Sequence, residues 1–115
     1  MKKKSNTSLA KEIIKREIIA LNRTLKRIDS NFDKACKVLS NVNGKVITIG
    51  LGKSGYIAMK MSATLSSTGT PSLFIHAADA LHGDMGAIKK NDVIIIYSKS
   101  VETDEIIKLL PLLKI

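Results

Sequence analysis

Apolar residues fall at Ile14, Ile18, Leu21, Leu25, Ile28, Phe32, Ala35 and Leu39, in alternating steps of four and three. That spacing draws one stripe along a helix, with lysine and arginine opposite, and predicts helical structure across residues 8–43. Asp29-Ser30-Asn31 followed by Asp33 reads as a helix restart, with Ser30 as the cap and Asp33 at the third position. The expectation is two helices, roughly 8–28 and 31–42, with one long kinked helix as the alternative. Asn43-Gly44 closes this region with a pair suited to positive φ.

Beyond Gly44 the period changes. Lys45–Ile49, Ser72–His76 and Val93–Tyr97 read as strands, rich in β-branched residues with little polar alternation. Helices are predicted at 54–68 and Glu102–Leu113, a turn at Gly69-Thr70-Pro71, and a loop with a helical turn at Ala78–Ile88. Pro111 should kink or shorten the last helix. Strands lacking a polar face are buried on both sides, so the pattern predicts an open α/β fold: a parallel sheet, order 2-1-3, covered by helices. Ligands of such sheets bind beyond the carboxyl ends of the strands. Three strands are few for a doubly wound sheet. The expectation is therefore a basic helical segment at 1–43, followed at 44–115 by the first part of a larger domain.

Charge changes this picture little. The net charge of +9 comes from 19 Lys/Arg against 10 Asp/Glu in 115 residues. Most of the excess lies before residue 46, on the predicted helices and away from the strand ends. Two phenylalanines and two tyrosines leave little with which to stack on bases, so a solvated basic helix face is expected and no nucleic-acid partner. No apolar run approaches the length of a membrane span, and polar Ser5-Asn6-Thr7-Ser8 follows the N-terminal lysines where an export signal would turn apolar. Cys36 is the lone cysteine, expected as a small core residue in a reducing compartment. These readings give a cytoplasmic protein with no membrane partner. The unpaired sheet edges and the apolar helical stripe predict self-association through residues 8–42, as a dimer or tetramer.

The chemistry gathers at Gly50-Leu51-Gly52-Lys53-Ser54-Gly55, between the first strand and the next helix. Glycines there expose backbone N–H groups at a helix N-terminus, where the partial positive charge favours an anion. Gly50, Gly52 and Gly55 fit G-x-G-x-x-G, but the second strand ends in His76-Ala77-Ala78 where a dinucleotide site would place an acid, and Asp79 comes late. A P-loop would need glycine where Ile47 stands. Dinucleotide, another phosphate ligand and a purely structural turn all remain compatible with the glycines alone. The third strand adds hydroxyls at Ser98, Ser100 and Thr103, where the final helix begins; they can cap that helix or hold a phosphate with the same geometry. In a 2-1-3 sheet these loops converge at the switch point. His82-Gly83-Asp84 offers an imidazole for proton transfer or sugar hydroxyls. His76 and His82 lack the spacing of metal ligands.

Four segments, in order, resemble the sugar isomerase (SIS) domain: Gly50–Gly55, Ala63–Pro71, Ala80–Gly86 and Ser98–Ile106. The resemblance is to the bacterial D-arabinose 5-phosphate isomerases and covers about residues 45–115. It implies a flavodoxin-like sheet, a tetramer, a phosphorylated pentose as substrate, and interconversion of D-arabinose 5-phosphate with D-ribulose 5-phosphate, feeding lipopolysaccharide acid-sugar synthesis. It further implies phosphate binding by Ser54, Ser98, Ser100 and Thr103, and catalysis by Lys53, His82 and Glu105, with no cofactor and no metal. The alternatives are a dinucleotide-dependent oxidoreductase fragment and a non-catalytic sugar-phosphate-sensing or assembly module. The family has glycine where Val101 stands, and its later half, with a further glutamate and histidine, has no counterpart in these residues. Phosphate affinity is therefore expected to outlast isomerase activity.

Overall fold

The computed structural model describes residues 2–99 and 104–113. The chain divides into two compact units, Met1–Lys37 and Val38–Ile115.

The first unit is helical. α1 spans Asn6–Arg27 and starts where the Ser5 hydroxyl accepts the Ser8 N–H at 3.1 Å. Ile28 then turns extended, at ψ 122°, which ends α1 and settles two helices over one. α2 spans Ser30–Ser40. Its cap is not Ser30: the Asp29 carboxylate accepts the Asn31 N–H at 2.9 Å, because Ser30 already has helical backbone. Neither helix buries a residue, and Ile18, Leu21, Leu25 and Phe32 are all more than half exposed. Cys36 is exposed as well, contrary to its expected place in a core, since these helices enclose none.

The second unit is the α/β layer. β1 (Val46–Gly50), β2 (Ser72–His76) and β3 (Val93–Tyr97) form a parallel sheet in the order β2-β1-β3. β1 is buried throughout, as expected for a central strand covered on both faces, whereas β2 and β3 are largely half-buried. α3 (Gly52–Ser67) packs across the sheet. The only polar residue within buried β1, Thr48, donates its hydroxyl to the Ala58 carbonyl of α3 at 2.8 Å, so burial leaves it satisfied. Ile47, Ile49 and Ile75 form one core with Ala77 and Ala80 of α4 (Ala77–Ala80) and Ile106 and Leu109 of α5 (Asp104–Leu112). A 3-10 turn, Asp84–Ala87, lies between α4 and β3. Pro111 falls in the last turn of α5, where it ends the helix without kinking its middle.

Gly44 differs from expectation. Neither it nor Asn43 has positive φ. Glycine is needed for room: a Cβ would collide with the Asp92 carboxylate and lie 2.8 Å from the Asn91 carbonyl oxygen, to which Gly44 donates its own N–H at 3.1 Å. The same corner holds an ion pair, Lys45 Nζ to Asp92 at 2.7 Å. Asp92 also accepts the backbone N–H groups of Lys45 and Lys89 at 2.9 and 2.7 Å. This clamp ties the start of β1 to the turn before β3, at the end of the sheet opposite the glycine turn.

Candidate functional site

The three strands end level. Gly50 pairs in register with His76 on one side and Tyr97 on the other. The segments that follow each strand therefore leave one edge of the sheet together, as the 2-1-3 order requires. β1 and β3 are neighbours, so the turn into α3 and Ser98 emerge side by side.

The glycine turn uses each glycine differently. Gly52 has φ +55°, the left-handed turn that redirects the chain from β1 into α3, and a Cβ there would meet open space. At Gly50 a Cβ would lie 2.7 Å from the Ser54 carbonyl oxygen and 2.8 Å from both Cα and N of Gly55. Gly55 is the buried reciprocal partner, where an added Cβ would sit 3.3 Å from the Gly50 carbonyl oxygen. The outer glycines thus set the closeness of strand and helix, and the middle one sets the direction.

α3 begins one residue after Leu51, which supplies no capping oxygen, and the first helical bond is Gly55 N–H to Leu51 carbonyl at 3.2 Å. The amides of Gly52, Lys53 and Ser54 therefore precede the first intrahelical donor, the kind of helix end whose free N–H groups favour an anion. Among the described residues, neither the exposed Lys53 amine nor the half-buried Ser54 hydroxyl finds a hydrogen-bond or ion-pair partner. Both lie within the first turn of α3, two residues earlier than the helix start expected at 54.

Glu105 is half-buried in the first turn of α5, beside buried Ile106. A carboxylate in that turn is favoured by the helix dipole. Ser98 is exposed immediately after β3; Ser100, Val101 and Thr103 lie outside the described residues. Tyr97, at the end of β3, has its hydroxyl pKa pushed up by burial. His82 is exposed just beyond α4, with its N–H bonded to the Asp79 carbonyl at 3.0 Å. Gly83, at φ +120°, turns the chain directly after it. The cleft beside the glycine turn is lined by Gly52, Gly55, Tyr56, Met59, Phe74 and His76, so His82 stands outside it. The structure gathers Lys53 and Ser54 at one turn, with Ser98 at the adjoining strand end.

His76 is the residue that sequence reasoning did not select. It ends β2, lines the cleft, and caps α4: its Nδ1 accepts the Ala78 N–H at 3.2 Å. The signal was present in the alternation of β2, where Ser72, Phe74 and His76 share a face. Among the described residues no group of three or more His, Cys, Asp or Glu side chains is placed to hold a metal, and no helix is long and apolar enough to cross a membrane.

Comparison with known proteins bears on this geometry. The SIS domain family matches residues 38–115. Arabinose 5-phosphate isomerase KdsD of Pseudomonas aeruginosa is 52% identical over 95 residues, 83% of this chain and 29% of that protein. KdsD of Francisella tularensis is 46% identical over 113 residues, 96% of this chain and 35% of that protein. Among solved structures, an E. coli CFT073 protein in complex with arabinose 5-phosphate superposes with TM-score 0.87 at 46% identity, covering 96% of this chain and 61% of that one. The chain thus spans about a third of the length of the curated relatives it matches. With the family matched across all three strands and the glycine turn, the chain belongs to the SIS domain family.

Proposed function

We propose that this chain binds a phosphorylated pentose at the carboxyl edge of its sheet, as part of a D-arabinose 5-phosphate isomerase. The observation that carries the reading is the start of α3: an uncapped helix N-terminus carrying a lysine and a hydroxyl that have no partners among the described residues. The amides of residues 52–54 and the Ser54 hydroxyl take the phosphate, with Ser98, Ser100 and Thr103 as its further ligands. The names of the KdsD relatives and the arabinose 5-phosphate complex of the E. coli CFT073 protein support the choice of sugar.

Aldose–ketose isomerisation needs a base to take the C2 proton, a donor at the C1 oxygen, and return of a proton to C1 as the C2 hydroxyl becomes the carbonyl. Glu105 is suited to take the carbon-bound proton, and the Lys53 ammonium to stabilise charge on the enediolate oxygens. His82, outside the cleft, is left to shuttle protons between oxygens once substrate brings it into reach. The dinucleotide reading is disfavoured because β2 ends on a histidine already committed through Nδ1 to α4, with no acid in the ribose-binding place.

The same reading makes the protein cytoplasmic, places it in synthesis of the acid sugar of lipopolysaccharide, and has it assemble as a dimer or tetramer through the exposed stripe of residues 8–42. Thermal shift with arabinose 5-phosphate, ribulose 5-phosphate, NAD and NADP tests the ligand class. Stabilisation by the pentose phosphates is expected; stabilisation by a dinucleotide alone would refute the reading. Conversion of arabinose 5-phosphate by the 115-residue chain is expected to be weak or absent, and turnover of about one per second or faster would contradict the assignment of roles.

A further inference from the structure

Successive residues on β2 alternate faces, so Ser72, Phe74 and His76 project together. Two of them fix which way. Ser72 Oγ lies 2.8 Å from Ser62 Oγ of α3, and the Phe74 ring reaches 3.8 Å from where a side chain on Gly55 would begin. His76 continues that row past the start of α3 and lines the cleft of about 160 Å³ with Gly52, Tyr56, Met59 and Phe74. Because Nδ1 accepts the Ala78 N–H, the neutral ring carries its proton on Nε2, which has no partner among the described residues. The result is a fixed, uncharged donor in a small cleft with aromatic and apolar walls, next to an anion-binding helix end.

Resting on the sugar-phosphate reading, we propose that His76 is a specificity residue of this site, its Nε2–H donating to a sugar hydroxyl of the bound ligand. A phosphate is already answered by the α3 amides and Lys53. A neutral N–H beside Phe74 and Tyr56 suits the mixed hydroxyl and C–H surface of a pentose. His76 thereby separates a sugar phosphate from bare phosphate.

The test exploits the two nitrogens. In His76→Asn the side-chain oxygen can still accept the Ala78 N–H and cap α4, but nothing reaches the Nε2 position. His76→Gln restores a donor there. Calorimetric titration with arabinose 5-phosphate and with inorganic phosphate is run on both variants, on Ser54→Ala and on the parent chain. His76→Asn is expected to weaken arabinose 5-phosphate by about 5- to 10-fold while leaving inorganic phosphate unchanged. His76→Gln is expected to stay within about twofold for both, and Ser54→Ala to weaken both. If His76→Asn binds the sugar phosphate like the parent, or loses both ligands equally, the proposal is overturned while the phosphate site stands. If the parent binds neither ligand, the sugar-phosphate reading falls and this proposal with it. Should His76→Asn fail to fold, His76→Ala replaces it: retention of sugar binding by Gln and loss by Ala supports the proposal, and equal binding by the two overturns it.

Discussion

Gly50→Ala should be far more damaging than Gly52→Ala, although Gly52 alone of the two has positive φ. At Gly50 the new methyl carbon would stand 2.7–2.8 Å from three backbone atoms of Ser54 and Gly55. Relaxed contacts to carbon lie near 3.5–4.0 Å, so β1 and the first turn of α3 must separate by roughly 0.5–1 Å. Backbone atoms cannot rotate aside, and β1 is held on both flanks by β2 and β3. The expected loss is about 3 kcal/mol, the upper end for overpacking. At Gly52 a Cβ meets nothing within 4 Å, so only the left-handed backbone penalty of about 1–2 kcal/mol applies. Urea unfolding of the two variants and the parent, followed by circular dichroism, gives both losses from the midpoints at constant slope. The shift at Gly50 also moves the amides of residues 52–54, so the Gly50 variant should lose phosphate binding even under conditions where it is folded. A Gly50→Ala midpoint equal to or above that of Gly52→Ala would refute the close strand–helix approach.

Other outcomes follow from individual residues. Ser54→Ala should weaken inorganic phosphate and arabinose 5-phosphate by about tenfold, read by calorimetry, with the unfolding midpoint unchanged, because its hydroxyl has no partner among the described residues. Asp92→Asn should cost about 1–3 kcal/mol in urea unfolding by stranding donors that the carboxylate now accepts. Burial of Asp92, whose side chain is 2% exposed, acts most strongly and would raise its pKa. The Lys45 ammonium and the amides of Lys45 and Lys89 together outweigh it and bring the value from 3.8 down to about 2. With the folded pKa depressed, this stability is present above pH 4 and is lost as pH falls toward 2, so Asp92→Asn should flatten the acid limb of the stability–pH profile. Replacing Ile18 and Leu25 by aspartate should shift the chain to monomer in sedimentation equilibrium, since both lie on the stripe exposed on α1.

Most of the α/β architecture could be read from the chain because each element carries its own local signal. Val93–Ile96 admits little but a strand, and Ser72–His76 was bounded by Pro71 on one side. The break at Ile28 was legible from Asp29-Ser30-Asn31, but which of these residues caps was not: aspartate and serine both cap well, and only backbone dihedrals choose. Cys36 and Gly44 failed for a common reason. Burial and close approach depend on what lies opposite, and neither the missing core around α2 nor the Asp92 carboxylate over Gly44 is written in local spacing. His76 escaped notice because its alternation with Phe74 becomes meaningful only once α3 is known to lie on that face. His82 was selected by a motif, yet its relation to the glycine turn depends on how α4 carries the chain away from β2, and so short a helix has no periodic pattern to guide the eye.

The central claim is that the first turn of α3 holds the phosphate of a pentose phosphate. Backbone amide NMR of the 115-residue chain, titrated with arabinose 5-phosphate, tests it most directly. Saturable shifts at the amides of Gly52, Lys53 and Ser54, reproduced in direction by inorganic phosphate and absent in Gly50→Ala, are the predicted result. Saturable binding that leaves those three amides unmoved, or no binding of either ligand, would contradict the account.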